Sequence, residues 1–495
     1  MEAKLLSDKF TRRSFLAGLS AAAALPILAA CEPQVVEKVV EKPVEVVVTQ
    51  VVETVVEKEV VVKEVVEVEK EVVVEVEKEV VVEKETIVEV PAAKDPITIF
   101  WLGGGGDTPA AMIEEWQGMG NEHISFEVLD LPASELYIRI ETGWTAGAGP
   151  DIAFTGGATK RYAAAGWAVW VEPFMPKGDY QDFYKVARDC VSWNDRMYAF
   201  PFSSHGQPLL FRKDILEDAG VDWTKAPESY NDILQIAKQA QKKSGDTWDV
   251  IGYWINSDPG KVHMSQGYVY GNGGGWVEDD DSVLIDHPGT IKTVQMFSDW
   301  LLKEELGPPG GHHEDVWGSN FADGKLAMVH TAVQVVRRVI EKLGNDDTVG
   351  AWHIPPGDVK RSAFSYHNNF MPHSRSKVWE EATKFTQWIT NTDNLIRFNE
   401  VGKAPMPRIS STEKAEYTKD PRWQIALEAA GVYGDNEGKS RFSIPIRDHI
   451  IEPAMTRAFF GQMSAEEAMT GAANEARDLI ENELKVWDRE IEQKR

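Results

Sequence analysis

Four consecutive glycines, Gly103-Gly104-Gly105-Gly106, run into Asp107 just after Trp101-Leu102. The backbone N–H groups of such a turn, one carboxylate and one flat indole can hold a polar solute by hydrogen bonding and stacking. Trp101 serves a binding face or a core equally well, and a solvated turn is the alternative for Asp107. The same glycines could form an anion nest, but G-x-G-x-x-G spacing and a Gly-Lys-Ser/Thr ending are both absent. His312-His313-Glu314 has the residue types of a metal site, yet it follows Gly307-Pro308-Pro309-Gly310-Gly311 and reads as a loop. Asp279-Asp280-Asp281 lacks the ligand spacing of a calcium loop. No Gly-x-Ser-x-Gly or His-Glu-x-x-His motif is present, so the residues point to capture and not to covalent chemistry. No cofactor, metal or catalytic residue is expected.

Whole-chain composition narrows the partners. The 495 residues hold 52 Lys+Arg against 79 Asp+Glu, a net charge of −27, which argues against nucleic acid as a main partner. Two cysteines exclude a disulfide framework, and 17 Trp, 19 Phe and 12 Tyr supply a core with aromatics left for a binding surface. A length of 495 residues is too great for one ordinary core and suggests two or three packing units.

The first segment reads as an address. Thr11-Arg12-Arg13-Ser14-Phe15-Leu16 is a twin-arginine pattern, and an Ala/Leu-rich run follows it to Leu28-Ala29-Ala30-Cys31. Those last four residues resemble the lipobox of bacterial lipoproteins, which implies cleavage before Cys31, lipid attachment to its thiol and a chain tethered to the outer face of the cytoplasmic membrane. Cys190 then remains as a buried small hydrophobe. Residues 35–90 hold 27 Val and 16 Glu among 56 positions and form a stalk, not a globular domain. Valine pairs recurring every four residues predict a helical rod. An extended spacer is the alternative, and either lifts the rest from a surface.

From about residue 94, β-like apolar runs alternate with longer amphipathic stretches, an α/β pattern. Strands are expected at 97–102, 124–129, 151–154 and 207–212, helices at 109–118, 134–146, 214–219 and 227–243, and a hairpin at 191–198. Ser229 and Asp232, and again Ser464 and Glu467, have capping-box spacing. Ligands of open α/β sheets sit beyond the carboxyl ends of strands, where Gly103–Gly106 and Thr155-Gly156-Gly157 should lie.

Several segments, taken in order, resemble the extracellular solute-binding protein family that includes maltodextrin-binding protein. They are Gly149-Pro150-Asp151-Ile152, Phe200-Pro201 before Leu210-Phe211-Arg212-Lys213-Asp214, Phe321-Ala322-Asp323-Gly324-Lys325-Leu326-Ala327-Met328, Lys384-Phe385-Thr386-Gln387-Trp388-Ile389 and Gly402-Lys403-Ala404-Pro405. The resemblance implies a two-lobed α/β fold with a ligand cleft between lobes, lobe one being about 95–203 plus 366–410 and lobe two 204–365 plus 411–495. It implies a non-enzymatic receptor that passes a solute, most readily a sugar or oligosaccharide, to the permease and ATPase of an ABC importer. A polyamine or polyol phosphate on the same fold is the first alternative, and a secreted hydrolase the second.

The resemblance also nominates site residues. His205 falls where relatives place a polar contact. Tyr270 and Trp276 flank a Gly-rich segment that faces the cleft in relatives. Thr155 and Gln334 stand where relatives often carry stacking aromatics, which weakens a maltodextrin assignment. Tyr366, His367, Asn368 and Asn369 lie on the second lobe crossing, and Arg447, with Asp448 and His449, on the last cleft segment. With Trp101 and Asp107 these make the expected ligand-binding set.

Overall fold

The computed structural model describes residues 61–65, 75–79, 95–102, 108–131, 133–256, 260–312, 319–400 and 402–494. In the described part of the stalk, Val61–Val65 pairs antiparallel with Glu75–Glu79. This corrects the expected helix. Valine is stiff at χ1 and packs better on a pleated strand than on a helix, and the register sets Lys63 opposite Glu77. Residues from Ala93 onward form a separate unit.

That unit is built on two sheets. In the first, Ile97–Leu102 lies parallel to both Phe126–Leu131 and Ile152–Thr155. Ala363–Pro372 runs antiparallel to Ile152–Thr155 and to Phe200–Gly206, and parallel to Gly434–Asn436. The Asp151 carboxylate ties this sheet together. It accepts the Thr98 N–H at 2.8 Å and the Ser376 hydroxyl at 2.6 Å, which gives the Gly-Pro-Asp-Ile segment a structural role. The second sheet has the order Lys242–Ser244, Thr247–Tyr253, Leu326–His330, Leu209–Arg212, Val349–Trp352.

Only Gln207 and Pro208 separate the last strand residue of the first sheet, Gly206, from the first of the second, Leu209. The chain returns between Trp352 and Ala363, and Gly434–Asn436 rejoins the first sheet a third time. Strand pairing therefore carries the first lobe a few residues past 203 and begins it again before 366. It stops where Pro208 has no N–H to give.

Each lobe has its own core. Ile97, Trp116, Ile152, Phe200, Phe370 and Phe385 are buried in the first. The second sheet is covered on both faces, by a cluster with Phe211, Tyr253, Phe297 and Phe459 and by another with Leu210, Trp254, Phe321 and Trp423. Burying each such side chain contributes about 1.5–3 kcal/mol. Local signals hold where they were strong. Ser229 and Asp232 make both bonds of a capping box ahead of Tyr230–Ala240, and Ser464 and Glu467 do so ahead of Ala465–Lys494. Asn194 and Asp195, both at positive φ, turn the 192–197 hairpin. No helix among the described residues is long and apolar enough to cross a membrane.

Helix Pro421–Gly431 packs directly on Phe200–Gly206, and a Cβ on Gly206 would collide with the Ala426 carbonyl and the Ala430 N–H. Neither backbone group can move without breaking its helix. Gly206→Ala is expected to lower unfolding stability by about 1–3 kcal/mol in urea titration, the usual range for overpacking. An unchanged midpoint would show that the helix can shift.

Candidate functional site

The pairing of Phe200–Gly206 with Ala363–Pro372 sets Tyr366 opposite His205, His367 opposite Ser204 and Asn368 opposite Ser203. Side chains alternate across a strand, so the four polar residues expected to act together part into two sets. Tyr366 and Asn368 join His205 and Ser203. His367 and Asn369 turn to the other side, where His367 Nε2 lies 3.2 Å from Asn436 Oδ1 and Asn369 Nδ2 lies 3.1 Å from the His367 carbonyl.

The first set reaches across to the second lobe. The His205 ring stacks on Tyr366 with centroids 4.4 Å apart, and its Nδ1 is 3.2 Å from Gln334 Oε1. An amide oxygen only accepts, so Nδ1 carries the proton. Nε2 then accepts from the Ser203 hydroxyl at 2.8 Å and the Asn368 amide at 3.3 Å. The Gln334 amide also reaches the Tyr366 hydroxyl. Gln334 follows strand Leu326–His330 of the second sheet, so its hydrogen bonds join the two lobes.

A second polar group lies beyond Phe364, whose ring stacks on both Tyr366 and His263. His263, on helix Lys261–Gly271, has Nε2 2.9 Å from Glu437 Oε1 and 2.9 Å from Arg447 Nη1. Arg447 is also paired directly with Glu437, and its Nε donates to Asp448 at 2.7 Å. Burial alone would raise the Glu437 pKa, but Arg447 and His263 beside it hold it down at about 2. Burial likewise disfavours charge on Arg447, yet Glu437 and Asp448 push its pKa up. Both groups are therefore charged at neutral pH. Gly157 permits this approach, since a Cβ there would stand 2.9 Å from Glu437 Cγ.

Tyr270 and Trp276 share a cavity of about 20 Å3 with Glu437 and Arg447. The Tyr270 hydroxyl donates to Glu278 Oε1 at 2.6 Å and Lys439 Nζ sits 4.0 Å over its ring, while Trp276 Nε1 finds no acceptor among the described residues. Thr155 is not part of either group. Fully buried, it bonds Thr159 Oγ1 at 2.8 Å inside the first lobe. Trp101 lies near the end of Ile97–Leu102, and Asp107 and Cys31 lie outside the described residues. His312 is buried and stacked on Trp254, and no group of three His, Cys, Asp or Glu suited to a metal occurs among the described residues.

His263, Glu437 and Ser203 were not singled out from sequence. Glu437 sits in the turn just after strand Gly434–Asn436, and His263 lies in a helix without a motif.

Burial pushes His205 down to about 4 and His367 down to about 3, so both are neutral in the fold at pH 7. A histidine with a depressed folded pKa contributes full stability above its unfolded value near 6.5 and loses it as pH falls toward the folded value. Unfolding stability should therefore drop between pH 7 and 5, by about 2 kcal/mol for His205 alone. His205→Gln should flatten the pH dependence of Tm in calorimetry. An equal slope in both proteins would exclude this role.

The sequence pattern of the family described as bacterial extracellular solute-binding protein matches residues 111–424. The maltotriose-binding protein of Pyrococcus abyssi is 19% identical over 307 residues, covering 58% of this chain and 61% of that protein. The sn-glycerol-3-phosphate-binding periplasmic protein UgpB of Brucella abortus is 24% identical over 183 residues, covering 36% of this chain and 42% of that protein. The chain thus spans less than two thirds of the length of these curated relatives. Among solved structures, an ABC transporter solute-binding protein from Thermotoga lettingae bound with alpha-D-tagatose superposes with a TM-score of 0.70 at 21% identity, covering 78% of this chain and 99% of that one. The GacH receptor of Streptomyces glaucescens, solved unliganded and with acarbose, gives 0.68 at 17% identity, covering 78% and 98%. With two α/β lobes joined by paired strands and a polar cluster between them, this chain belongs to the bacterial extracellular solute-binding protein family and has its two-lobed fold.

Proposed function

We propose that this chain captures an uncharged, hydroxyl-rich solute, a sugar or short oligosaccharide, and delivers it to the permease of an ABC importer. The observation that carries this reading is the charge pairing of the cleft. Arg447 faces Glu437 and Asp448, Lys439 faces Glu278 and Asp435, and Lys160 faces Asp279. A phosphate would meet cations already matched by carboxylates. A neutral solute can exchange hydrogen bonds with the Tyr366 phenol and the amides of Gln334 and Asn368, all suited to hydroxyls. The sugars bound by the solved relatives support the same class, and the glycerol-phosphate relative marks the rival. The cavity of about 20 Å3 beside Arg447 has room for about one water, so a solute enters there only when the lobes part, while a cavity of about 740 Å3 lies nearby, lined by Lys160, Trp193, Asp279 and Lys439.

We further read Cys31 as the lipid anchor, residues 35–90 as the spacer and the receptor as held outside the cytoplasmic membrane. Mass spectrometry of the membrane fraction tests the anchor, and an unmodified Cys31 overturns it.

Thermal-shift screening of the full chain should find a neutral saccharide that raises Tm, with about 2.7 kcal/mol of stabilisation at a hundredfold excess over Kd. Gln334→Ala should weaken that binding about tenfold, the worth of one or two hydrogen bonds. A shift with sn-glycerol 3-phosphate or a polyamine, and none with saccharides, would overturn the reading. Turnover of a glycoside would restore the hydrolase.

A further inference from the structure

The acidic run Glu278-Asp279-Asp280-Asp281 borders the cleft, and three of its four carboxylates hold a cation. The run forms the tip of a hairpin closed by the Val277–Val283 bridge in the second lobe. Glu278 Oε2 lies 2.9 Å from Lys439 Nζ, Asp279 Oδ1 2.5 Å from Lys160 Nζ, and Asp281 Oδ2 2.9 Å from Arg441 Nη2. Asp280, exposed at the tip, accepts the Ser282 N–H at 3.0 Å. Lys439 and Arg441 belong to the connecting segment after Gly434–Asn436. Lys160 belongs to the first lobe, on the short helix Thr159–Ala164 that follows Gly156-Gly157.

The residue beside Lys160 makes a second crossing. Arg161 Nη1 donates to Glu483 Oε2 at 2.7 Å, on the second lobe's terminal helix Ala465–Lys494, while its Nε is held by Glu141 at 3.1 Å. Two consecutive cations of one lobe thus grip carboxylates on two separate elements of the other. Lys160 also donates to the Lys439 carbonyl at 2.9 Å, which orders it for this contact. The Lys160 side chain is 10% exposed but that of Asp279 is 70% exposed, so the pair sits where dissolved salt reaches it.

We propose that Lys160 and Arg161, with Asp279 and Glu483, form an electrostatic clasp that sets how often the two lobes are closed. The clasp acts before any solute arrives. Closure, and with it the affinity for even an uncharged solute, weakens as ionic strength rises, because the pairs that break on opening are partly open to counterions. The acidic hairpin is in this account a docking tip for basic side chains, not a calcium loop.

Hydrogen–deuterium exchange on the full chain without solute tests this separately from the carbohydrate reading, since no ligand is needed. In about 20 mM NaCl, where screening is weak, Lys160→Met and Asp279→Asn should each speed exchange at residues 156–160 and 437–440 about 5-fold, and the double variant no more than either single one. Arg161→Gln and Glu483→Gln should behave as a second such pair. In about 1 M NaCl the wild-type chain should exchange as fast as the variants. Asp280→Asn should match wild type throughout. Calorimetry showing an unchanged main transition confirms that the variants fold. Additive effects within a pair, unchanged exchange in the single variants, or protection of the hairpin by added calcium would overturn the proposal.

Discussion

The antiparallel pairing of Phe200–Gly206 with Ala363–Pro372 fixes more of this molecule than any other contact. Both strands belong to the first sheet, and both lie within a few residues of the points where the chain passes to the second. Their register decides which polar side chains share a face, and a slip of one residue would turn His205 away from Tyr366 and Asn368. The helix packed on Gly206 keeps that register, because the strand meets it backbone to backbone. Lobe connection and the candidate binding surface thus depend on the same set of ladder hydrogen bonds.

Around this spine the protein keeps charge buried only in matched form. Glu437 and Arg447 are each disfavoured by desolvation, and each is kept ionised by the other. Removing one partner would leave the other a buried charge held only by Asp448 or by His263, a larger penalty than the pair's net contribution. His205 and His367 take the opposite course and stay neutral. A cleft of this kind is polar without a strong net field, which suits it to hydroxyls more than to ionic groups. The outer contacts of Lys160 and Arg161 differ in kind, being partly solvated and so adjustable by the medium.

Where local chemistry is decisive, the sequence reads correctly. Capping boxes at Ser229 and Ser464, the Asn194-Asp195 turn and the buried strand at 97–102 all depend on neighbours within a few residues. In the described part of the stalk, residues 61–65 and 75–79, strands replace the expected helix because β-branched side chains favour them. Tyr366 to Asn369 read as one cluster because adjacency in sequence was taken for adjacency in space, whereas the pleat divides them. Thr155 read as a cleft position because it ends a strand beside glycines, but its hydroxyl is satisfied at home by Thr159.

By itself the sequence determined the α/β class, which rests on periodicity, and short motifs carried the family resemblance that implied two lobes and a crossing near His205. Only the tertiary structure decided that His263, Glu437 and Arg447 meet. The first two are 174 positions apart and His263 and Arg447 are 184 apart, and no local signal links them. Pairing at such separations is set by sheet register and by how two lobes seat against each other. Those are properties of the assembled packing, and residue types alone do not encode them in any short window.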